Sequence, residues 1–514
     1  MTRKRQFIRW AIAAALIVGA VLLVNLYVNH EAQSLARDMI AEHFHSDVQL
    51  DSLHVRLLPT VKLSGDGLTL AQTAEGARIP FIQVQHFTAT TSLWNMLTRT
   101  RQLHHVRAQG LVITIKRHGE GELQQTSVHR KVPDFNIDEL IADQATLLIL
   151  PNDPAKHGLV FDMHHLVLTS IGKGDKMHYR AQMHNALPPG EIEAEGDIGP
   201  WNYDNTGATH VDGKYDFRKA DLGVFHDISG TLSSQGTFSG ALSKLGVQGT
   251  TDTPDFKVGS GGHPADLTTQ FDATVDGTNG NTYLNSVEAH ILRSSFSVTG
   301  LIYDVPGPQG HLIQLSVVSK DAQVEDMLNL AAKTAPAMTG QLKFEAQVKI
   351  VPGHNRIRDR IAADGHATIA NGYFAKSAVE EKISELSHRA EGEHNASPDD
   401  RVPARFNTTF HLADGKLNLP SLDFNVPGAE AKLHGTYGLA DESLDFTGVA
   451  MLHATVSQMT TGFKSLLLKA ADPFFKSGSA GTVLPLTITG TRSDPKFKVE
   501  MKRLKDAKKE AAAN

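Results

Sequence analysis

The sequence predicts a mainly β (α+β) fold, with an N-terminal transmembrane helix followed by a long antiparallel β-sheet body that carries a few short helices. Three observations carry this prediction. One uncharged apolar run lies near the N-terminus. Beyond it, apolar and polar residues alternate with a period of two in segment after segment, as in half-buried strands. The 43 glycines and the low aromatic content of 6% are typical of many short strands joined by turns.

Composition narrows the function classes. The 514 residues are 40% hydrophobic and 21% charged, which is an ordinary globular composition with length for about two to four domains. The chain contains no cysteine, so disulfides, thiolate metal sites and cysteine nucleophiles are excluded. The formal net charge is −6. Without a basic surplus to neutralise phosphates, nucleic acid is not an expected partner.

The N-terminal apolar run predicts a membrane anchor. Residues 1–9 form a basic tip, and the uncharged run Trp10–Val28 follows it. At 1.5 Å per residue the run measures about 29 Å, close to the thickness of a hydrocarbon core. The positive-inside rule places the tip in the cytoplasm and the body, from His30 to Asn514, in the periplasm. The alternative is a cleaved signal peptide with Ala32-Gln33-Ser34 as its cleavage site, but such peptides have shorter apolar cores.

The first module after the anchor, residues 30–130, combines short helices with strands. Glu31–Phe44 has a helical stripe of apolar residues, and Leu93–Thr98 predicts one helical turn. Alternation predicts strands before and after Pro59. The residues Ser64-Gly65-Asp66-Gly67 predict a turn between two of these strands.

Residues 131–390 form a predicted central β-repeat region, and residues 391–500 form a predicted C-terminal β region. Alternation is clear at Leu342, Phe344, Ala346 and Val348, and again at Leu422, Phe424 and Val426. Each such strand has one apolar face, which predicts an antiparallel sheet with a polar or hydrated opposite face. For any single strand, an ordinary closed core is the alternative interpretation.

Three segments with helical spacing interrupt the strands: Gln323–Lys333, Ala378–Ala390 and Ser457–Lys469. The polar stretch Glu391–Arg405 predicts a loop or linker. Residues 501–514 form a basic, helix-favouring tail. This tail is interpreted as a solvated end, with docking on anionic head groups as the alternative.

An internal similarity links two distant segments. Val247–Val258 and Ile488–Val499 are identical at six of twelve positions, including a Gly-Thr pair and a Pro-x-Phe-Lys-Val ending. Proline cannot donate to a strand ladder, so the pattern predicts the same strand, turn, strand unit in both places. Chance similarity of two turns is the alternative.

A search for catalytic chemistry finds no motif. The 26 histidines include the neighbouring pairs His104/His105 and His164/His165, but no H-E-x-x-H or similar metal pattern. Adjacent side chains on a strand point to opposite faces and cannot share a metal. There is no nucleophile elbow, phosphate loop or dinucleotide fingerprint. We therefore predict no catalytic, metal or cofactor-binding residues, no cofactor, and no enzymatic activity.

Three parts of the chain resemble the AsmA/TamB-like family of bacterial envelope proteins. The first part is the proline-interrupted strand region Val48–Leu70, which follows the predicted anchor. The second is Phe81–Lys116, in which a strand leads to the short helix SLWNML and then to a strand ending in LVITIK. The third and most telling runs from Leu412–Leu439 to Leu484–Val499. Together these parts cover about a third of the chain and rest on patterns of glycine, proline and alternating apolar residues.

The resemblance implies a specific architecture and role. Its fold would be a curved β-sheet forming an open groove lined with apolar side chains, on a body anchored in the inner membrane. Its role would be to bind or conduct lipids for outer-membrane lipid homeostasis and envelope assembly. Expected partners are phospholipid or another envelope lipid, the inner membrane, and outer-membrane or periplasmic proteins. The groove candidates are Leu342, Phe344, Ala346, Val348, Leu422, Phe424 and Val426. The alternative is a structural or assembly factor for outer-membrane proteins that binds no lipid.

Overall fold

The computed structural model describes residues 47–116, 135–375, 401–452 and 482–499. Short gaps interrupt these ranges at 58–59, 75–76, 93–94, 96–100, 151–158, 173–175, 201, 203–205, 260–261, 308–309, 332–333, 354 and 492–493. Isolated described positions outside the ranges are Ser34, Arg37, Asp38, Ala41 and Ser387. The predicted anchor, the polar stretch 391–400, the helix Ser457–Lys469 and the basic tail lie outside the described residues, as do most of Glu31–Phe44 and Ala378–Ala390.

The described chain is mainly β, as predicted, and it divides into two compact units. Unit 1 consists of Met1–Ala220, Ser233–Gln248 and Val275–Gly280. Unit 2 consists of Asp221–Leu232, Gly249–Thr274 and Asn281–Asn514. No helix in the described part of the chain is long and apolar enough to cross a bilayer. The division into residues 30–130, 131–390 and 391–500 stays a prediction.

Unit 1 is built on one sheet of long strands. These are β1 (Asp47–Gln49), β2 (Ser52–Arg56), β3 (Val61–Ala74), β4 (Ala77–Thr91), β5 (Arg101–Gln109), β6 (Val112–Lys116), β7 (Phe135–Leu150), β8 (Leu159–Ile171), β9 (Met177–Ala186), β10 (Pro189–Ile198) and β11 (His210–Asp221, whose last residue belongs to unit 2). A short 3-10 helix, Thr206–Ala208, precedes β11. β1 and β2 pair with β3, which pairs with β4, and the chain from β7 to β11 runs as an antiparallel series.

The expectation of an antiparallel sheet is wrong for one part of unit 1, where the sheet is mixed. β5 and β6 both pair antiparallel with β4 on one side and parallel with β7 on the other. The reason lies in the connection from Lys116 to Phe135. Parallel neighbours need a crossover of about a dozen residues or more, and residues 117–134 provide that length. The alternating pattern of β7 is the same whether the strand follows a hairpin or a crossover. The sequence therefore did not reveal that β7 pairs parallel with β5 and β6.

The predicted turn at Ser64-Gly65-Asp66-Gly67 is also wrong, because β3 runs through these residues without a break. Gly65 pairs with Leu53 on one side and with Phe87 on the other. The phenyl ring of Phe87 lies so close that a Cβ on Gly65 would approach its Cζ atom to 2.6 Å. Here glycine makes room for a cross-strand ring instead of reversing the chain.

Strands β12 (Ile228–Ser229), β13 (Thr231–Ala241), β14 (Lys244–Val258) and β15 (Ala265–Val275) follow, preceded by the 3-10 helix Leu222–Val224. β14 is a single strand, so it passes through Gly249 and Pro254 without a turn. The similar segment Ile488–Val499 instead contains the end of one strand, a turn near Asp494 and a second strand. The predicted structural repeat is therefore wrong. Gly490, at φ +97°, bends the chain where Gly249 does not.

Unit 2 continues as an antiparallel series in which each strand pairs with the next. Its strands are β16 (Thr282–Ile291), β17 (Ser294–Asp304), β18 (His311–Gln323), β19 (Met338–Ile350), β20 (Ile361–Phe374), β21 (Ala404–Ala413), β22 (Lys416–Val426), β23 (Ala429–Gly438), β24 (Ser443–Leu452), β25 (Thr482–Thr491) and β26 (Pro495–Val499). Helix α1 (Val324–Ala331) confirms the helix predicted at Gln323–Lys333, and the short α2 (Ile357–Arg360) precedes β20.

Glycines opposite aromatic rings recur along these strands. Gly365 is paired with Phe410, and Gly435 is paired with Phe446. A Cβ on Gly435 would collide with the carbonyl oxygen of Asp445 and lie 2.6 Å from Cα of Phe446. The ring of Phe446 therefore fills the space that a side chain at Gly435 would occupy. Packing of this kind compensates for the stability that a glycine costs within a strand.

This packing predicts that Gly435→Ala destabilises unit 2. The added methyl group has no room against a backbone atom, so we expect a loss of about 1–3 kcal/mol in unfolding free energy, typical of overpacking. Urea denaturation of the full chain in detergent, followed by circular dichroism, measures it. Gly246→Ala is the control, because the nearest atom to its Cβ is the carbonyl oxygen of Ser239 at 3.5 Å. Equal stability of the two variants would contradict the packing argument.

Candidate functional site

The groove candidates on β19 follow the alternation that the sequence predicted. Leu342, Phe344 and Val348 are half-buried, and Ala346 is buried. The residues between them, Lys343, Glu345, Gln347 and Lys349, are all exposed. Since successive side chains on a strand point to opposite faces, β19 has one apolar and one polar face.

The candidates on β22 lie on the same face of the sheet as those on β19, three strands away, with β20 and β21 between them. The register of β20 and β21 makes this connection, because directly paired residues project from the same side. One cross-strand row runs Leu342, Ile369, Phe406, Phe424, and the next runs Phe344, Ala367, Thr408, Leu422. The structure thus brings both predicted sets into one continuous apolar face, here called the unit 2 apolar face and defined by these two rows with Ala346, Val348 and Val426.

Aromatic rings make close contacts on this face. The ring centroids of Phe406 and Phe424 are 4.9 Å apart, and those of Phe374 and Phe406 are 6.2 Å apart in an edge-on arrangement. The ring centroids of Phe344 and of Phe296 on β17 are 5.9 Å apart. Such tilted and edge-on pairs are the favoured geometries for aromatic side chains. Sequence reasoning missed Phe296, Phe374 and Phe406, because only the register reveals that they join the candidates.

One end of the unit 2 apolar face is covered. Val426 is buried there together with Val402, Ala404 and Ala429. Ser387, a described residue of the segment that connects β20 and β21, is also buried and donates a hydrogen bond of 2.6 Å to the carbonyl oxygen of Pro427. Complete burial at this end contrasts with the half-buried side chains of Phe344, Phe406 and Phe424 farther along the strands.

Helix α1 is fastened at the same end of the strands by a buried carboxylate. Asp326, 2% exposed, accepts hydrogen bonds from the backbone N–H of Arg293 at 3.0 Å and from Oγ of Ser294 at 2.9 Å. Glu325 accepts from the backbone N–H of Gly340 and forms an ion pair of 2.7 Å with Arg293. These bonds fix the helix against the turn between β16 and β17 and the start of β19.

The opposite face of the unit 2 sheet is polar. Lys343 and Glu345 of β19 are exposed there, and His411 of β21 is paired with Asp364 of β20. Water can solvate this face, while the apolar face gains free energy from any apolar cover. The arrangement is suited to hold an apolar molecule on one side only.

Histidines pair with carboxylates across strands, a pattern that sequence reasoning did not find. Each of seven histidines lies directly opposite an Asp or Glu on the next strand: His86–Asp66, His104–Asp138, His105–Glu139, His165–Asp143, His178–Asp197, His184–Glu191 and His411–Asp364. Their partners are far apart in sequence, so the pattern depends on register. Among the residues that the structure describes, no group of three or more His, Cys, Asp or Glu side chains could hold a metal ion.

The pKa values of two side chains in unit 1, Asp66 and Tyr179, are shifted by their surroundings. Hydrogen bonds from His86 and then Ser52 hold the pKa of Asp66 below its usual value. Burial raises the pKa of Tyr179 well above its usual value, and the nearby Asp212 and Asp197 add to the shift. The hydroxyl of Tyr179 therefore stays protonated at neutral pH and does not act as a base.

The fold defines a class of protein, one built on amphipathic sheet with an extended apolar face whose larger side chains are half-buried. Comparison of the chain with protein-family models, with characterised proteins and with solved structures gave no match. The geometry of the chain therefore carries the functional argument.

The ring contacts among Phe374, Phe406 and Phe424 predict that truncation of Phe406 lowers the stability of unit 2. Phe406→Ala removes two ring contacts at once, so we expect a destabilisation of about 1–3 kcal/mol, less than for a fully buried ring. The neighbouring Arg405→Ala is the control, because this exposed side chain lies on the polar face and its loss is expected to change stability by less than about 0.5 kcal/mol. Urea denaturation of both variants provides the measurement, and similar losses would show that the two faces do not differ in packing.

Proposed function

We propose that this chain is an inner-membrane-anchored periplasmic protein whose unit 2 apolar face binds or conducts lipids for outer-membrane lipid homeostasis and envelope assembly, as the AsmA-like sequence pattern implies. The observation that carries the proposal is the register of β19 to β22. It puts Leu342, Phe344, Leu422 and Phe424 on one face, where their side chains are only half-buried. Acyl chains are flexible and apolar, so they can bind along an extended apolar face that has no closed pocket.

Energetics support a lipid as the occupant. Each Å² of apolar surface removed from water contributes about 25 cal/mol. An acyl chain gains about 0.8 kcal/mol per CH₂ buried from water, so contact along the face favours its binding. The polar face, with Lys343, Glu345 and the His411–Asp364 pair, keeps the opposite side hydrated.

A second candidate function is a structural or assembly factor for outer-membrane proteins that carries no lipid. The burial of Val402, Ala404, Val426 and Ala429 at one end favours it, because there the apolar side chains already form a closed core. In that case the remaining face would be covered by protein.

Lipid content separates the two functions. We expect native mass spectrometry of the full chain, extracted in a mild detergent, to show co-purifying phospholipid that survives exchange into lipid-free detergent. Phospholipid bound by the apolar face itself, and not merely dissolved in the micelle, is expected to remain on the protein during this exchange. A chain that is free of lipid after gentle extraction from cells would favour the assembly factor.

Photo-crosslinking locates the lipid. A photoreactive amino acid at Phe344 or Leu422 is expected to capture lipid in cells, while one at Lys343 or Glu345 is not, because these neighbours on β19 project from the polar face. Mass spectrometry of the crosslinked protein provides the readout. Equal labelling at Phe344 and Lys343 would rule out a lipid site confined to the apolar face.

Fusion reporters test the proposed topology. A reporter joined after Asn514 that is active only in the periplasm is expected to give a signal, since the positive-inside rule, applied to the basic tip and the run Trp10–Val28, predicts a body outside the cytoplasm. A reporter active only in the cytoplasm, joined at the same position, is the control. Activity of the cytoplasmic reporter would overturn the proposed location.

A further inference from the structure

Strand β10 carries four carboxylates on the polar side of the unit 1 sheet. They occupy every second position of the strand, so their side chains project from the same side. They are Glu191, Glu193, Glu195 and Asp197. The residues between them face the other way, where Ala194 pairs with Ala181 of β9, a buried member of the unit 1 core cluster. The pairing of β9 with β10 therefore supports a charged face on one side and part of an apolar core on the other.

Strand β9 has a polar residue directly opposite each of these carboxylates. The four pairs, here called the β9–β10 ladder, are His184–Glu191, Gln182–Glu193, Arg180–Glu195 and His178–Asp197. Nδ1 of His178 lies 3.0 Å from a carboxylate oxygen of Asp197, and Nδ1 of His184 lies 3.0 Å from one of Glu191. Between the two histidines, Nε of Arg180 donates to Glu195 at 3.3 Å. Two of the four pairs thus depend on a side chain that titrates near neutral pH.

Charged and titratable groups on the neighbouring strands face the ladder. They are Asp162, His164 and His165 of β8, Lys176 just before β9, and Asp212, Lys214, Asp216 and Arg218 of β11, with His210 beside Asp212. Asp197 lies directly opposite Asp212, and Glu193 lies directly opposite Asp216. Like charges directly opposite each other weaken strand pairing. With its histidines neutral, this surface has seven carboxylates against only four permanent cations, so negative charge is in excess.

Acidification changes this charge balance in a defined range of pH. An imidazole ordinarily takes up a proton near about pH 6.5, whereas Asp and Glu stay ionised down to about pH 4. Between these values His178 and His184 become cations, each beside an ionised carboxylate. Hydrogen bonding and charge from Lys214, and then from Arg180, hold the pKa of Glu195 below its usual value, so this carboxylate also keeps its charge in the range. Protonation therefore adds two attractive pairs and reduces the excess of negative charge.

We propose that the β9–β10 ladder is a pH-sensitive switch, in which protonation of His178 and His184 tightens the pairing of β9 with β10. The sign follows from the partners. A protonated histidine meets a carboxylate in the folded sheet and not in the unfolded chain, so protonation favours the paired strands. The added stability is present below the ordinary pKa of histidine and is lost as the pH rises through it. The two histidine side chains are 51% and 40% exposed, so each pair contributes modestly.

Hydrogen exchange of the full chain in detergent, measured by mass spectrometry, tests the proposal. Protection of the amides in residues 177–198 is compared at about pH 5.5 and about pH 7.5, on either side of the ordinary histidine pKa, after correction for intrinsic exchange rates. Wild-type protection is expected to be about two- to tenfold higher at the acid pH, as two exposed ion pairs would give. The double variant His178→Gln, His184→Gln is expected to lose this rise. Glutamine suits this side of β9, because Gln182 already lies opposite Glu193.

Arg180 supplies the matched control, because it lies between the two histidines and faces the same carboxylates but stays charged at both pH values. Arg180→Gln is expected to lower protection equally at both pH values and to keep the acid rise. His54→Gln is a second control, since His54 lies opposite Ser64 and outside the ladder. This variant is expected to keep the acid rise in residues 177–198 as well.

Removal of the carboxylate partners provides an independent test. The double variant Glu191→Gln, Asp197→Asn keeps both histidines and is also expected to lose the acid rise. Circular dichroism shows whether each variant folds, and this variant carries the test where the histidine variant does not fold. An acid rise that persists without His178 and His184 would overturn the proposal, because another group would then cause it. Wild-type protection that is equal or lower at the acid pH would overturn it too. Neither result bears on lipid binding, on which this inference does not rest.

Discussion

The strand register is the constraint on which the rest of the structure depends. Alternation gives each strand an apolar and a polar face, but only the pairing decides whether the apolar faces of neighbouring strands coincide. A slip of one residue between β21 and β22 would move Phe406 away from Phe424 and put the two rings on opposite faces. Local irregularities interrupt the pairing only briefly. The register of β22 with β23 shifts between Leu419 and Leu422, at Pro420, and regular pairing resumes with Leu422 opposite Leu433.

Side-chain pairs across strands reinforce this register. A ring beside a glycine, as at Gly435 and Phe446, fits one alignment only, because the glycine leaves space at a single position. A histidine opposite a carboxylate, as at His165 and Asp143, acts in the same way on the polar side. Each exposed ion pair contributes little free energy. Their common role is to favour one alignment of long, similar strands over its neighbours.

The sequence predicted what depends on local pattern and missed what depends on distant partners. Alternation placed Leu342, Phe344 and Val348 on one face, and helical spacing found α1. The break expected at Ser64–Gly67 was wrong because glycine serves there as a neighbour of Phe87, a residue on another strand. The His104–Asp138 pair needed the parallel pairing of β5 with β7, which alternation does not encode.

Both units bury their small apolar side chains and leave larger ones half-buried. In unit 1, Ala142 and Ala145 are fully buried, while Leu140 and Leu168 pack half-buried against their cluster. In unit 2, Ala404 and Ala429 are buried at one end, while Phe344, Phe406 and Phe424 stay half-buried. Apolar surface left in contact with water costs free energy that burial would recover. A molecule that covered this surface and bound only the folded chain would stabilise the fold, by an amount that grows with its concentration relative to its dissociation constant.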